Sequence, residues 1–385
     1  MGMNTNLITV ARASSIIERM AGENMHAKRV ASLTNAVVGV VNAVSLSIHA
    51  IGAGLAGAAG LNTKHAIKQV DRLLSNSALR VWTLFADWVP YVLAARKEIV
   101  VALDWTEFDA DGHATIALYL ITSHGRATPL VWQTVTKARL KGRRNLFEDE
   151  VILRLHEVLP PGVKVTLLAD RGFGDQKLYK FLTELGFGFI IRFRGVVAVE
   201  SRTGEVRPAS TWVPSNGRPR QLCGAAVTQD RYVLDSVVCV QAHGMKEPWC
   251  LAVGGTTITG PMAVKLYARR FTIEETFRDT KDPRYGLGLS ATHVRDVNRR
   301  DRLLLICAMA MTLLTLLGAA GESLGMDRML KANTVKKRTH SLFRQGCQYY
   351  AAIANMKRER LDPLVKRFSE YILREPVYVH AFGLK

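Results

Sequence analysis

The chain has 385 residues, 48% of them hydrophobic, which is enough apolar material for packed domains and excludes wholesale disorder. Its formal net charge is +19, with 52 Lys and Arg against 33 Asp and Glu, so a polyanion is the natural partner: nucleic acid, an acidic membrane surface or an acidic protein. The five cysteines form no C-x-x-C pair, which argues against a zinc knuckle or a disulfide framework and fits a reducing cytoplasm.

Residues 1–97 read as a helical domain. Arg12, Glu18 and Arg19 interrupt any early apolar run, so no signal peptide is expected. Arg29–Ile51 has helical apolar spacing, and Gly52, Gly54, Gly57 and Gly60 are expected to break it. Asn62-Thr63 is a helix start for Lys64–Ser75, with Ile67, Val70, Leu73 and Leu74 on one face and Lys64, Lys68 and Arg72 on the other. Short helices joined by glycine turns and ending in a basic helix suit a DNA-binding helix-turn-helix; an ordinary bundle with a solvated face has the same pattern.

Residues 98–194 change character. Strands are expected over Ile99–Trp105, Ala114–Thr122, Pro129–Thr136, Lys164–Asp170 and Phe187–Phe193, with helices over Asn145–Leu159 and Asp175–Leu185. Leu146, Val151, Leu153 and Leu155 are among the apolar positions of the first of these helices. Three strands, helix, strand, helix, strand is the element order of the ribonuclease H-like α/β fold, a mixed sheet covered by helices. Residues 195–255 read as an all-β insertion, with Arg231–Val240 and Trp249–Val253 as strands. Pro261 opens a helix running to about Asp282, within a second core segment at 256–325. Leu303–Gly321 carries no charge over a length that spans a bilayer; in so basic a chain a single such run is expected to be a buried helix instead. Residues 326–385 form a basic helical C-terminal region.

Two acids sit near strand ends. In the expected fold the strands of Asp104 and Asp170 are neighbours, which brings the two carboxylates together. Oxygen ligands of this kind suit Mg²⁺ or Mn²⁺, and two such ions about 3.5–4 Å apart clamp the attacking and leaving oxygens of a phosphodiester. Each aspartate alone is more readily a loop cap. The helix from Pro261 adds Tyr267, Arg270, Glu274 and Lys281, at relative positions that fall within roughly 60° of one another around a helix axis. Such a stripe does not face a core; Ile273 and Phe277 are better placed for that. A solvated face with an Arg270–Glu274 pair is the plain alternative. His65, His113, His124 and His243 are scattered singly and read as turn or surface residues.

The pattern Y-x2-R-x3-E-x6-K in YARRFTIEETFRDTK resembles the signature of DDE transposases from bacterial insertion sequences of family four. LDWTEF, LLADRGF, KEPWCLA and DPRYGLGL are also similar to that family, and are most similar to the transposon-ten group, as are NTKHAIKQVDRLLSN and KANTVKKRT. The resemblance implies a cut-and-paste transposase with Asp104, Asp170 and Glu274 holding two Mg²⁺ or Mn²⁺ ions. It implies a hairpin intermediate, with Trp249 stacking a flipped base and Phe271 in a position where relatives carry a residue that pushes the base out. Tyr267, Arg270 and Lys281 would grip phosphates. The partners implied are double-stranded transposon-end and target DNA, with a homodimer in the synaptic complex, acting in the cytoplasm and off the membrane. A ribonuclease H-like nuclease that cuts without joining, and a non-catalytic DNA-binding regulator, are the other readings. Trp249 is alternatively a core tryptophan closing the insertion.

Overall fold

The computed structural model describes residues 8–21, 24–228 and 230–373. The outermost parts of the two expected helical ends, residues 1–7 and 374–385, lie outside the described residues.

The N-terminal segment contains α1 (Val10–Ala21), α2 (Ala27–Ala43), α3 (Ile48–Ala59), α4 (Thr63–Ser75) and α5 (Val81–Leu93). Asn62 caps α4, accepting from the His65 amide at 3.3 Å. Of the four glycines expected to break the helix, only Gly60 does, capping the end of α3 in the left-handed region at φ 65°. Helix α3 runs straight through Gly52, Gly54 and Gly57, and the chain instead turns at Val44, in the left-handed region at φ 46°, so that α2 and α3 meet at 96°. Two of the glycines serve packing. A Cβ on Gly52 would stand 2.5 Å from the Ile67 Cα on α4, and one on Gly54 2.5 Å from the Gly39 carbonyl oxygen on α2. Helix propensity is given up here to let three backbones approach.

The central segment contains β1 (Glu98–Phe108), β2 (His113–Leu120), β3 (Thr128–Thr136), α6 (Arg144–Val158), β4 (Lys164–Ala169), α7 (Gln176–Glu184) and β5 (Gly188–Phe193). Phe147, Val151, Ile152, Leu155 and Val158 bury the inner face of α6, whereas Leu146 and Leu153 are exposed. Residues 195–255 contain β6 (Ala198–Glu200), β7 (Val206–Pro208), β8 (Arg220–Cys223), β9 (Ala226–Val227), β10 (Tyr232–Val233), β11 (Ser236–Val240) and β12 (Trp249–Gly254). These strands divide between two sheets. An eight-stranded mixed sheet runs β3-β2-β1-β4-β5-β12-β11-β8, and a four-stranded sheet runs β10-β9-β6-β7. Strands β1, β4 and β5 are parallel, and the other pairings are antiparallel. A mixed sheet with helical flanks is consistent with a ribonuclease H-like core.

The remaining helices are α8 (Gly260–Ala268), α9 (Thr272–Lys281), α10 (Val297–Ser323), α11 (Leu342–Ala352) and α12 (Arg358–Leu373). Helix α10 is the one single helix among the described residues that is long and apolar enough to cross a membrane, and 89% of its most apolar window is buried inside the protein. Gly318 of α10 and Gly346 of α11 meet backbone to backbone, since a Cβ on either would overlap a carbonyl oxygen of the other helix, Leu342 or Leu314. The start of α10 is tied to the N-terminal helices by charge. Arg299 pairs with Asp71 at 2.7 Å, and Arg302 donates to the Leu74 and Leu79 carbonyls at 2.8 and 2.9 Å.

Candidate active site

Strand β1 carries Asp104 four residues before its end, not at its end as its apolar run predicts. It continues to Phe108 because β2 still pairs with it there, Asp104 opposite Ala117 and Phe108 opposite His113. On its other side β1 pairs with β4 only as far as Leu103 opposite Ala169. The next residues are Asp104 and Asp170. The two acids therefore stand side by side where the strands part, at the carboxyl ends that open a crevice in mixed α/β sheets. Asp170 leaves the sheet into a short turn and accepts from the Arg171 amide at 2.5 Å. Asp104 accepts from the Trp105 amide at 2.9 Å. Burial raises the Asp104 carboxyl to about 6, and the nearby Glu274 and Asp170 charges push the same way against Arg270 and the Trp105 amide.

The helix that faces these acids is broken. A 3-10 turn at Arg269–Phe271 separates α8 from α9, so one continuous helix from Pro261 to Asp282 is not formed. Thr272 bonds back to the Arg269 carbonyl at 2.8 Å, and Arg269 reaches the Thr122 carbonyl at 3.0 Å, which holds the turn. The expected stripe is not uniformly open to solvent. Tyr267 and Arg270 are buried, Glu274 is exposed, and Lys281 is half-buried. Arg270 is the centre of the arrangement, its side chain only 4% exposed. One terminal nitrogen donates to Asp104 Oδ2 at 3.0 Å and the other to Glu274 Oε1 at 2.8 Å. Asp104, Asp170, Glu274 and Lys281 line one open cleft, with Trp105 and Phe277. Among the described residues no three His, Cys, Asp or Glu side chains converge as a ready metal cluster; a guanidinium stands between two of the three acids.

Aromatic rings border Arg270. Trp249, the first residue of β12, packs edge-on against Tyr267 at 4.9 Å and lies 6.0 Å from Phe271. Trp249 is partly exposed and Phe271 40% exposed, so the cluster opens to the surface. The Arg270 guanidinium lies 4.8 Å from the Phe271 ring centre. Lys281 is held differently. Its ammonium donates to the Glu107 carbonyl at 2.7 Å and to Thr106 Oγ1 at 3.2 Å, beyond Asp104 on β1. Lys64, Lys68 and Arg72 are exposed on α4 and do not line this cleft.

The family described as "Transposase DDE domain" matches residues 95–313. That is 219 residues of 385 (313 − 95 + 1), more than half of the chain, and it spans all three acids. The chain belongs to the transposase DDE domain family. No curated protein matches it. Transposases of this family act on DNA and generally use divalent metal ions. In this transposase the matched segment runs from just before β1 into α10, so α1–α5, α11 and α12 lie outside it.

Several supports of the transposase site escape sequence reading. Asp279, on the face of α9 away from the cleft, pairs with Arg126 at 2.6 Å and Arg344 of α11 at 3.5 Å. The fully buried Arg300 pairs with Asp111, donates to His113 Nδ1 at 3.1 Å and lies 4.0 Å from the Phe108 ring centre, beneath the strand end that holds Lys281. Glu247 bridges Arg171 and Arg192 at 3.1 and 3.0 Å, joining the turn after Asp170 to the approach to Trp249. Trp105 donates to Glu148 at 2.7 Å. The expectation that the histidines are turn or surface residues fails at His113, which is buried in β2; His124 lies in the bend before β3, buried, with a 3.3 Å contact to Thr128 Oγ1. A charge at the start of an otherwise apolar helix, as at Arg300, is the one local cue from which a buried partner could be inferred.

Proposed function

We propose that this chain is a cut-and-paste transposase that excises its element through a hairpin and joins it to target DNA. The observation that carries the reading is the meeting of Asp104, Asp170 and Glu274 in one open cleft, where two parallel strands part beneath the α9 helix. The close similarity of its motifs to family-four insertion sequences, and to the transposon-ten group within them, supports the finer steps.

The donor set fits divalent ions. It is all carboxylate oxygen, the chemistry of Mg²⁺ and Mn²⁺ sites. It also already draws in a cation, the Arg270 guanidinium, which bridges two of the acids. Asp104, Asp170 and Glu274 would hold the two ions, which supply Lewis-acid stabilisation of charge on phosphoryl oxygens. Every chemical step is then a displacement at phosphorus. A water oxygen attacks a phosphate of one strand and the 3′ oxygen leaves; the freed 3′-hydroxyl attacks the opposite strand's phosphate, expelling the flanking DNA's 3′ oxygen as the hairpin closes; water attacks the hairpin phosphate and the 3′ oxygen leaves again; that 3′-hydroxyl attacks a target phosphate, expelling the target's 3′ oxygen. No protein nucleophile is required.

Tyr267, Arg270 and Lys281 bind phosphates along the bent strand, charge-assisted at the arginine and lysine. Trp249 offers its partly exposed face to the flipped base, and Phe271 wedges into the stack beside it. Lys64, Lys68 and Arg72 contact end DNA from α4. The N-terminal segment 1–97 and the basic C-terminal region 326–385 flank the catalytic segments 98–194 and 256–325, with 195–255 as the insertion that brings Trp249. Two copies act together on the paired ends.

The test uses the inverted repeats flanking the coding region as substrate. Asp104→Asn, Asp170→Asn and Glu274→Gln are each expected to abolish Mg²⁺-dependent nicking while end binding in gel shift persists. Nicking retained by any one of the three overturns the assignment.

A further inference from the structure

We propose that Arg270 is the resident counter-ion of the carboxylate site, and that the site loads divalent ions only as a DNA phosphate draws Arg270 away. The inference rests on the reading that Asp104, Asp170 and Glu274 are the ion ligands.

One guanidinium ties acids from two separate elements, Asp104 of β1 at 3.0 Å and Glu274 of α9 at 2.8 Å. It competes with an incoming ion for the same oxygens. A buried charge is held only where it is paired and hydrogen-bonded. Arg270 is buried, and among the described residues no acid beyond this site pairs with it and its Nε has no hydrogen-bond partner. An ion that displaced it without a substitute anion would leave a buried, unpaired arginine next to a dication. The charge count gives the same result. Three ionised carboxylates and Arg270 sum to −2 (−3 + 1), and two divalent ions would bring the cluster to +2 (−2 + 4). Phosphates return the balance.

The surroundings allow the exchange. Arg270 lies on the 3-10 turn between α8 and α9, the kind of break that marks a hinge within a helix. Its guanidinium rests beside Phe271, whose ring is 40% exposed, so the side chain can swing outward along an aromatic surface that still favours its charge. DNA and metal are thereby thermodynamically linked: each strengthens binding of the other by the same factor.

The experiment measures Mn²⁺ uptake by the full chain from the electron paramagnetic resonance signal of the free ion. Binding is measured with and without a precut end duplex; Asp104→Asn with the same duplex supplies the background held by DNA. The wild type is expected to bind Mn²⁺ at least tenfold more tightly with the duplex than without it. Arg270→Gln is expected to bind Mn²⁺ without DNA at least tenfold more tightly than the wild type, and Arg270→Lys to remain DNA-dependent. Equal wild-type affinity with and without DNA overturns the proposal while leaving the ligand assignment intact, and that arm needs no variant to fold. A folded Arg270→Gln protein no tighter than wild type overturns it as well. Uptake never exceeding the Asp104→Asn background, even with duplex present, overturns the ligand assignment and the proposal together.

Discussion

The Asp301 carboxylate accepts a hydrogen bond from the Thr134 backbone amide at 3.1 Å, so a side chain of α10 closes the free edge of strand β3. Burial, opposed by that bond and by Arg300 and Arg302, pushes the Asp301 carboxyl up to about 7. An unfolded aspartate titrates near ~3.9. Between these values the folded chain holds a proton that the unfolded chain has lost, so this group's contribution to stability falls as pH rises through the window. The slope is at most about 1.4 kcal/mol per pH unit. Asp301→Asn keeps an acceptor for Thr134 and has no such proton. Urea midpoints between pH 5 and 7 are expected to fall more steeply in the wild type than in Asp301→Asn. Parallel curves would show that Asp301 does not titrate there.

The glycines of α3 predict opposite outcomes for one substitution. A Cβ at Gly52 meets the backbone of Ile67 at 2.5 Å, which neither helix can relieve without moving. Gly52→Ala is expected to cost about 1–3 kcal/mol, the usual range for overpacking. Nothing lies within 4 Å of a Cβ at Gly57, so Gly57→Ala gains helix propensity of up to about 1 kcal/mol. Thermal melts of the two variants check the difference in sign.

Trp249→Ala is expected to slow hairpin formation by roughly ten- to hundredfold relative to first-strand nicking, the scale of ~1–3 kcal/mol per stacked base. Denaturing gels resolve the two products from one reaction. Equal loss of both would make Trp249 a support for Tyr267 and nothing more.

Replacing Lys64, Lys68 and Arg72 together by alanine removes three exposed charges from α4 without touching Val70, Leu73 or Leu74 in its buried face. End binding is expected to weaken, and its salt dependence to become shallower by roughly 2 to 3 in log–log slope, at about 0.9 per phosphate contact. Melting temperature should stay near wild type. An unchanged slope would remove α4 from the DNA interface.

Strong local patterns carried most of the element order: β-branched runs for β1 to β5, Asn62 and Pro261 for helix starts, and an uncharged run for α10. What failed was set by distant partners. Gly52, Gly54 and Gly57 look like breakers until the helices they touch are known. The pairing of β12, β11 and β8 onto β5 is long-range register, which no local window contains. That Asp104, Asp170 and Glu274 line one cleft was legible from two acidic strand segments expected to be neighbours and a glutamate within a spaced Tyr-Arg-Glu-Lys pattern. The burial of Tyr267 and Arg270 was not, because the residues that cover them, Trp249 on β12 and Asp104 on β1, are distant in the chain. Nor does the sequence around Asp279 or Arg300 name Arg126, Arg344 or Asp111 as partners.

The glycine seam between α10 and α11 bears on how the chain is made. Residues leave the ribosome in order, and domains fold as they emerge. Helix α10 emerges before Gly346, so for a time its uncharged stretch lacks the helix that sheathes one flank. In that interval it offers what membrane-insertion machinery accepts, an apolar stretch of bilayer length. Helices α2, α4 and α5 and strand β3, already synthesised, cover its other flanks. A messenger truncated between residues 323 and 342 would yield a nascent chain drawn to bilayers or to chaperones, from a protein that otherwise hides its most greasy segment.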